Sequence, residues 1–136
     1  MKRLLTTACT NSSFNIAAFV LRIVFGSMLF WNHGIPKVKD FSNKLHSFSD
    51  PLHIGHEGSF LLALFAEVFC SVFIILGLFT RLAAIPIVIL FLVIIFMVSK
   101  GDSIARLEPA ILFLSAFIAI LFMGSGKYSL DGALGK

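Results

Sequence analysis

The sequence predicts an all-α integral membrane protein, a four-helix up-down-up-down bundle, and three observations carry that expectation. Hydrophobic residues make up 58% of the 136-residue chain and charged residues only 13%, against roughly 25% charged in soluble domains. Mean hydropathy is +0.98. The apolar residues gather into four runs, and none alternates with the period of two that marks a half-buried strand. A soluble domain of this size must cover itself with polar groups. A bilayer removes that demand, and within hydrocarbon the backbone has to be paired inside helices or a closed barrel. The length suits a single domain, residues 1–136.

Residues 1–14 read as a cytoplasmic or interfacial tail. Lys2 and Arg3 supply charge, but "LLTTACTNSSFN" lacks the apolar core of a removable signal. The first span is expected over Ile16–His33, stopping at "HGIPK". The long connection that follows, Gly34 to Ser59, holds His46, His53 and His56 and room for a short amphipathic helix around Val38–Phe48. The remaining spans are expected over Phe60–Phe79, Leu82–Val98 and Leu107–Met123, joined by Thr80-Arg81 and by Ser99–Arg106. A spanning helix needs about 20 residues, with a lower limit near 17. Pro86 and Pro109 are expected in the first turns of spans three and four, where a missing N–H costs little. Glu108 suits the positive end of the helix dipole.

The pI of about 9.4 comes from basic residues scattered between apolar runs. With no patch or arginine-rich segment, nucleic acid is excluded as a partner, and loop charges that orient the chain are the simpler account. Lys2, Arg3, Arg81, Lys127 and Lys136 fall on one side; Lys37, Lys39, Lys44, Lys100 and Arg106 fall on the other. Arg22 breaks the tie by snorkelling toward the N-terminal end, so both termini are expected inside. Cys9 and Cys70 form neither a C-x-x-C pair nor a metal-ligand spacing.

Ionisable groups within apolar runs are expensive and turn toward the bundle interior. Arg22, Gly26, Leu29, His33 and Lys37 share one face of span one. Ala63, Glu67, Cys70, Ser71 and Ile74 share one face of span two, and Glu108, Ser115 and Ala119 one face of span four. The expected result is a polar seam in which Glu67 pairs with Arg22, or alternatively with His33 or Lys37. Arg22, His33, Lys37, Glu67 and Glu108 are the candidates for ligand binding or proton handling, with a structural ion pair as the plain alternative for Arg22 and Glu67. His33 reads equally as an interfacial hydrogen-bonding residue, Cys70 as a small packing residue, and the loop histidines as an irregular set rather than a metal site. Gly26 and Gly77 read as helix-contact positions.

Three stretches, "LRIVFGSMLFWNHGIPKVKDF", "AEVFCSVFIILGLFTRLAAIPI" and "MGSGKYSLDGAL", resemble in order the signatures of the DoxX family: Arg, Gly, then His-Gly-x-x-Lys; a glutamate followed by Gly-Leu-Phe-Thr-Arg; and a Tyr-Ser-Leu-Asp terminus. The chain departs from the pattern in its longer, histidine-bearing first loop. The resemblance implies a small four-helix protein of the bacterial inner membrane. Relatives include a subunit linked to thiosulfate oxidation with quinone as acceptor and a membrane component associated with superoxide and thiol defence. The matched polar residues are Arg22, Gly26, His33, Gly34, Lys37, Glu67, Arg81, Tyr128, Ser129 and Asp131. Of these, Arg81, Tyr128, Ser129 and Asp131 are expected to form a helix-end clamp.

Two functions follow as expectations. In the first, the protein is a redox-accessory membrane subunit that binds quinone or another apolar ligand in a polar-lined bundle pocket. With no cysteine pair, haem-ligand pair or flavin motif in the chain, this role needs a bound quinone or a partner subunit. In the second it is a non-enzymatic scaffold or a lipid- or small-ligand-binding protein. A pocket lined by His33 and Glu67 distinguishes them.

Overall fold

A computed structural model describes residues 4–135. Lys2, Arg3 and Lys136, which enter the orientation argument, lie outside those residues. Four helices are long and apolar enough to cross a membrane: Asn11–Lys39, His56–Leu76, Thr80–Val98 and Ile104–Met123, called spans one to four below. Span one packs against spans two and four, and span three against the same two, so consecutive helices are neighbours and the bundle runs up-down-up-down. The core lies between them. Phe91 of span three stacks on Phe113 and Phe117 of span four, with ring centroids 5.3 and 6.4 Å apart. Leu29, Ile74, Ile87 and Ile120 complete it.

Each helix is longer at an end than hydropathy alone indicates. Span one begins at Asn11 because the Thr10 hydroxyl accepts the Ser13 N–H at 3.1 Å, a standard N-cap. Residues 11–14 are therefore helix rather than tail. The expected stop at His33 is also corrected. Phe30–Gly34 widens into a π-helical turn, Ile35 donates to the Phe30 carbonyl, and the chain continues helical to Lys39. The wide turn absorbs Pro36, which follows where its absent N–H does no harm. Spans three and four begin at Thr80 and Ile104. Pro86 and Pro109 thus sit inside their helices, beyond the first turn, and Thr80-Arg81 opens span three instead of joining it to span two.

Span two ends on a glycine that has more than a contact role. Gly77 adopts φ +71°, its N–H bonds the Ile74 carbonyl at 3.1 Å, and the Leu78 N–H reaches the Phe73 carbonyl at 2.9 Å. This is a Schellman stop. Between spans one and two, Phe41–Leu45 forms a short helix. Phe41 and Phe48 lay their ring edges on buried Phe60, each at 5.4 Å, which folds the loop down onto span two.

Candidate functional site

Polar side chains gather at the two ends of the bundle, and the expected Arg22–Glu67 pair is not among their contacts. Arg22, 1% exposed, donates to four backbone carbonyls. These are Ile74 at 3.0 Å, Ile75 at 3.3 Å, Ser125 at 2.5 Å and Tyr128 at 3.0 Å. Two of these belong to the last turn of span two, where helix carbonyls lack intrahelical donors and the dipole favours a cation. The other two belong to the segment after span four. Arg22 therefore does structural work beside the residues expected as a clamp.

Around it, the Asp131 carboxylate accepts the Thr80 N–H at the start of span three (3.4 Å), and the Asp131 N–H bonds the Gly77 carbonyl at 3.0 Å. The Ser129 hydroxyl accepts the Gly132 N–H at 2.9 Å and caps the short helix Leu130–Ala133. Exposed Arg81 donates to the Phe122 carbonyl at 3.2 Å. Tyr128 contributes its carbonyl, and its ring lies edge-on to Phe19 at 6.4 Å.

At the opposite end, Lys37 Nζ lies 2.6 Å from Glu67 Oε2, with Glu67 2% exposed. That oxygen meets no donor in hydrogen-bond alignment, so the contact is an ion pair between buried Glu67 and partly exposed Lys37 rather than an aligned hydrogen bond. His33 is half-buried, its ring edge against Phe113 at 5.6 Å. Span one reaches this close because residue 34 is glycine. A Cβ there would sit 2.9 Å from the Glu67 carbonyl oxygen and 3.0 Å from Val68 Cγ2.

His33, Lys37 and Glu67 line one cavity of 520 Å³. Its remaining walls are mostly apolar: Phe48, Pro51 and Leu52 from the loop, Ala63 and Phe65 from span two, and Pro86, Leu90 and Val93 from span three. His33, Glu67 and the wall residue Ile94 each lie in a π-helical turn, Phe30–Gly34, Phe65–Cys70 and Ile94–Val98. Such turns recur where a helix re-aims side chains at a functional site.

Span four contributes nothing to this cavity. Glu108 and Ser115 are exposed, and the Ser115 hydroxyl is turned back to the Ile111 carbonyl at 2.9 Å. The aromatic stack of Phe91, Phe113 and Phe117 occupies the space a third polar face would have needed. The seam expected over spans one, two and four is thus reduced to spans one and two, with span three as an apolar wall.

One cluster escaped the sequence reading. The Asp50 carboxylate accepts the Ile54 N–H at 3.0 Å, the Gly55 N–H at 2.9 Å and the Ser59 hydroxyl at 2.9 Å, and His56 Nδ1 meets the Phe48 carbonyl. This knot holds the loop over the cavity. Asp50-Pro51 followed by Gly55 and Ser59 was the available signal, since Asp accepts nearby backbone N–H groups in turns. Of the other loop histidines, His46 lies 2.9 Å from Glu57 Oε1, and His53 takes φ +56°. Among the described residues no three His, Cys, Asp or Glu side chains gather as metal ligands.

Four packed apolar helices, a half-buried ion pair at one end and an arginine-centred clamp at the other define a small membrane bundle protein. The chain belongs to the DoxX family, whose model matches residues 17–100, spans one to three. The terminal Tyr-Ser-Leu-Asp segment lies beyond that match. Comparison with curated proteins gave no match, and comparison with solved structures gave none either.

Proposed function

We propose that this protein is a redox-accessory subunit of the bacterial inner membrane that binds the head of a quinone, or of a similar apolar carbonyl compound, in the cavity between spans one, two and three. The observation that carries the reading is the cavity itself: 520 Å³, walled by hydrocarbon, with Lys37, Glu67 and His33 in its lining. Ligand sites are commonly about 300–1,000 Å³ with a few polar groups that fix orientation. The Lys37 ammonium and the His33 ring are positioned to orient a carbonyl oxygen. Glu67, paired with Lys37, is the group that holds or exchanges a proton. A quinone, when bound, supplies electron-accepting chemistry that the side chains of this sequence do not provide. Both termini are cytoplasmic in this reading, the cavity lies toward the outer side, and a redox enzyme is the partner.

The test is extraction. The protein is purified in mild detergent and its bound quinones and lipids are identified by mass spectrometry, alongside Glu67→Gln. The expected result is a quinone retained by the wild type and lost from the variant. Absence of quinone from both proteins refutes this reading and favours a scaffold or lipid-binding role.

A further inference from the structure

The ligand cavity has a neighbour. It shares Phe65 and Pro86 as walls with a second hollow of 300 Å³ in the seam between spans two and three. Small buried residues, Cys70 and Ala83, form the bottom of that hollow, and the exposed side chains of Phe73 and Ile85 stand at its rim. The packing explains why it exists. Cys70 and Ala83 are too short to fill the seam, and Pro86 brings only a compact ring to the wall. From Phe65 to Phe73 the hollow follows about 12 Å of helix at 1.5 Å per residue. Its lining is carbon and one thiol. Because Ile85 and Leu82 are exposed, it opens sideways to the lipid, and a chain can enter it without threading the bundle.

We propose that this groove holds the long apolar tail of the ligand whose head occupies the upper cavity, so that the protein selects a polyisoprenoid or similarly tailed amphiphile over a tailless head. The inference rests on the head-site reading above and adds the chemical class of the whole ligand. The occupant follows from adjacency. Phe65 and Pro86 stand between the two spaces, and Phe65 is exposed, so a tail leaving the head site passes over them on the lipid-facing side to reach the groove. Pro86 is therefore a specificity wall for both parts of the ligand.

The experiment measures competition for the purified protein in detergent, by native mass spectrometry, between a tailless benzoquinone and the same head on a long polyisoprenoid tail. Ile85→Trp, and separately Leu82→Trp, fill the groove from exposed rim positions that leave the core untouched. The tailed compound is expected to bind the wild type about tenfold more tightly, a margin equivalent to about 1.4 kcal/mol. Either variant is expected to remove that margin while tailless binding stays as it was. Equal affinity for both compounds in the wild type overturns the tail groove and leaves the head site standing. So does a variant that weakens both compounds alike while remaining folded by thermal melting. If the quinones fail to bind, but a tailed amphiphile with a different head is held and then lost in Ile85→Trp, the head reading falls and the groove stands.

Discussion

Replacing Arg22 by methionine tests the arrangement at the clamp end. The side chains are similar in length, so the change removes four N–H donors more than it removes volume. The carbonyl of Ile74 keeps the Gly77 N–H as a second donor, and the bond to Ile75 at 3.3 Å is long. The real losses are the bonds to Ser125 at 2.5 Å and Tyr128 at 3.0 Å, together with the positive charge facing Asp131 and the negative end of span two. Hydrogen bonds to a charged group contribute about 1.5–3 kcal/mol each. Relief from burying the guanidinium offsets part of that loss. A net destabilisation of about 3 kcal/mol follows. Arg22→Lys should retain less than half of the wild-type contribution, because an ammonium cannot reproduce the planar fork. The assay is reversible SDS unfolding in mixed micelles, followed by the fluorescence of the single tryptophan, Trp31. Arg22→Met as stable as the wild type refutes the carbonyl clamp. A double-mutant cycle sharpens the result. Arg22→Met and Glu67→Gln should add to within about 0.5 kcal/mol, whereas Lys37→Met and Glu67→Gln should not. Strong coupling in the first pair would restore the ion pair that the geometry removes.

Three further outcomes are expected. Gly34→Ala places a methyl 2.9 Å from the Glu67 carbonyl oxygen, so backbone must move. It should cost about 1–3 kcal/mol and weaken ligand retention, and the control Gly26→Ala, which meets first a side-chain carbon of Ile75 rather than backbone, should cost less in the same SDS titration. Gly77→Ala forces a left-handed backbone on alanine at about 1–2 kcal/mol and also meets Ser129 and Arg22, so its melting temperature should fall further than that of a surface Gly101→Ala. For Asp50, burial pushes the carboxyl upward, but hydrogen bonds from Ser59, Gly55 and Ile54 and the nearby His56 outweigh it and leave the group below its ordinary value of 3.8. The loop knot is accordingly at full strength above that value and is lost as pH falls through the lower folded value. Protection of the Ile54 and Gly55 amides, measured against their intrinsic exchange rates, should be high at neutral pH, fall only in strong acid, and be low at all pH values in Asp50→Asn.

The bundle was legible because hydrocarbon imposes a simple rule, and the apolar runs of this chain obey it with few exceptions. The buried face of span two, from Ala63 through Glu67 to Ile74, followed from spacing alone. Helix ends were less legible, since Thr10 and the π-helical turn at Phe30–Gly34 act through backbone hydrogen bonds to which hydropathy is blind. Of the pairings expected for Glu67, the one with Lys37 is present and the one with Arg22 is not, for a related reason. A search for charge complements looks for carboxylates, and carbonyls freed at the end of span two have no signature in side-chain chemistry. Span four was credited with a polar face because Glu108, Ser115 and Ala119 are correctly spaced. Spacing does not reveal that three phenylalanines fill the interior at that level. The cavity depended on a fold-back of the loop that the Phe41, Phe48 and Phe60 cluster and the Asp50 knot determine together.

The reach of Arg22 also has a temporal side. Two of its four acceptors, in residues 125 and 128, are made more than a hundred positions later in translation. Until residues 125–128 are made, the guanidinium has at most the two carbonyls of span two, Ile74 and Ile75, to bond. A product that stops before residue 125 thus carries this cation in the bundle with half of its acceptors missing.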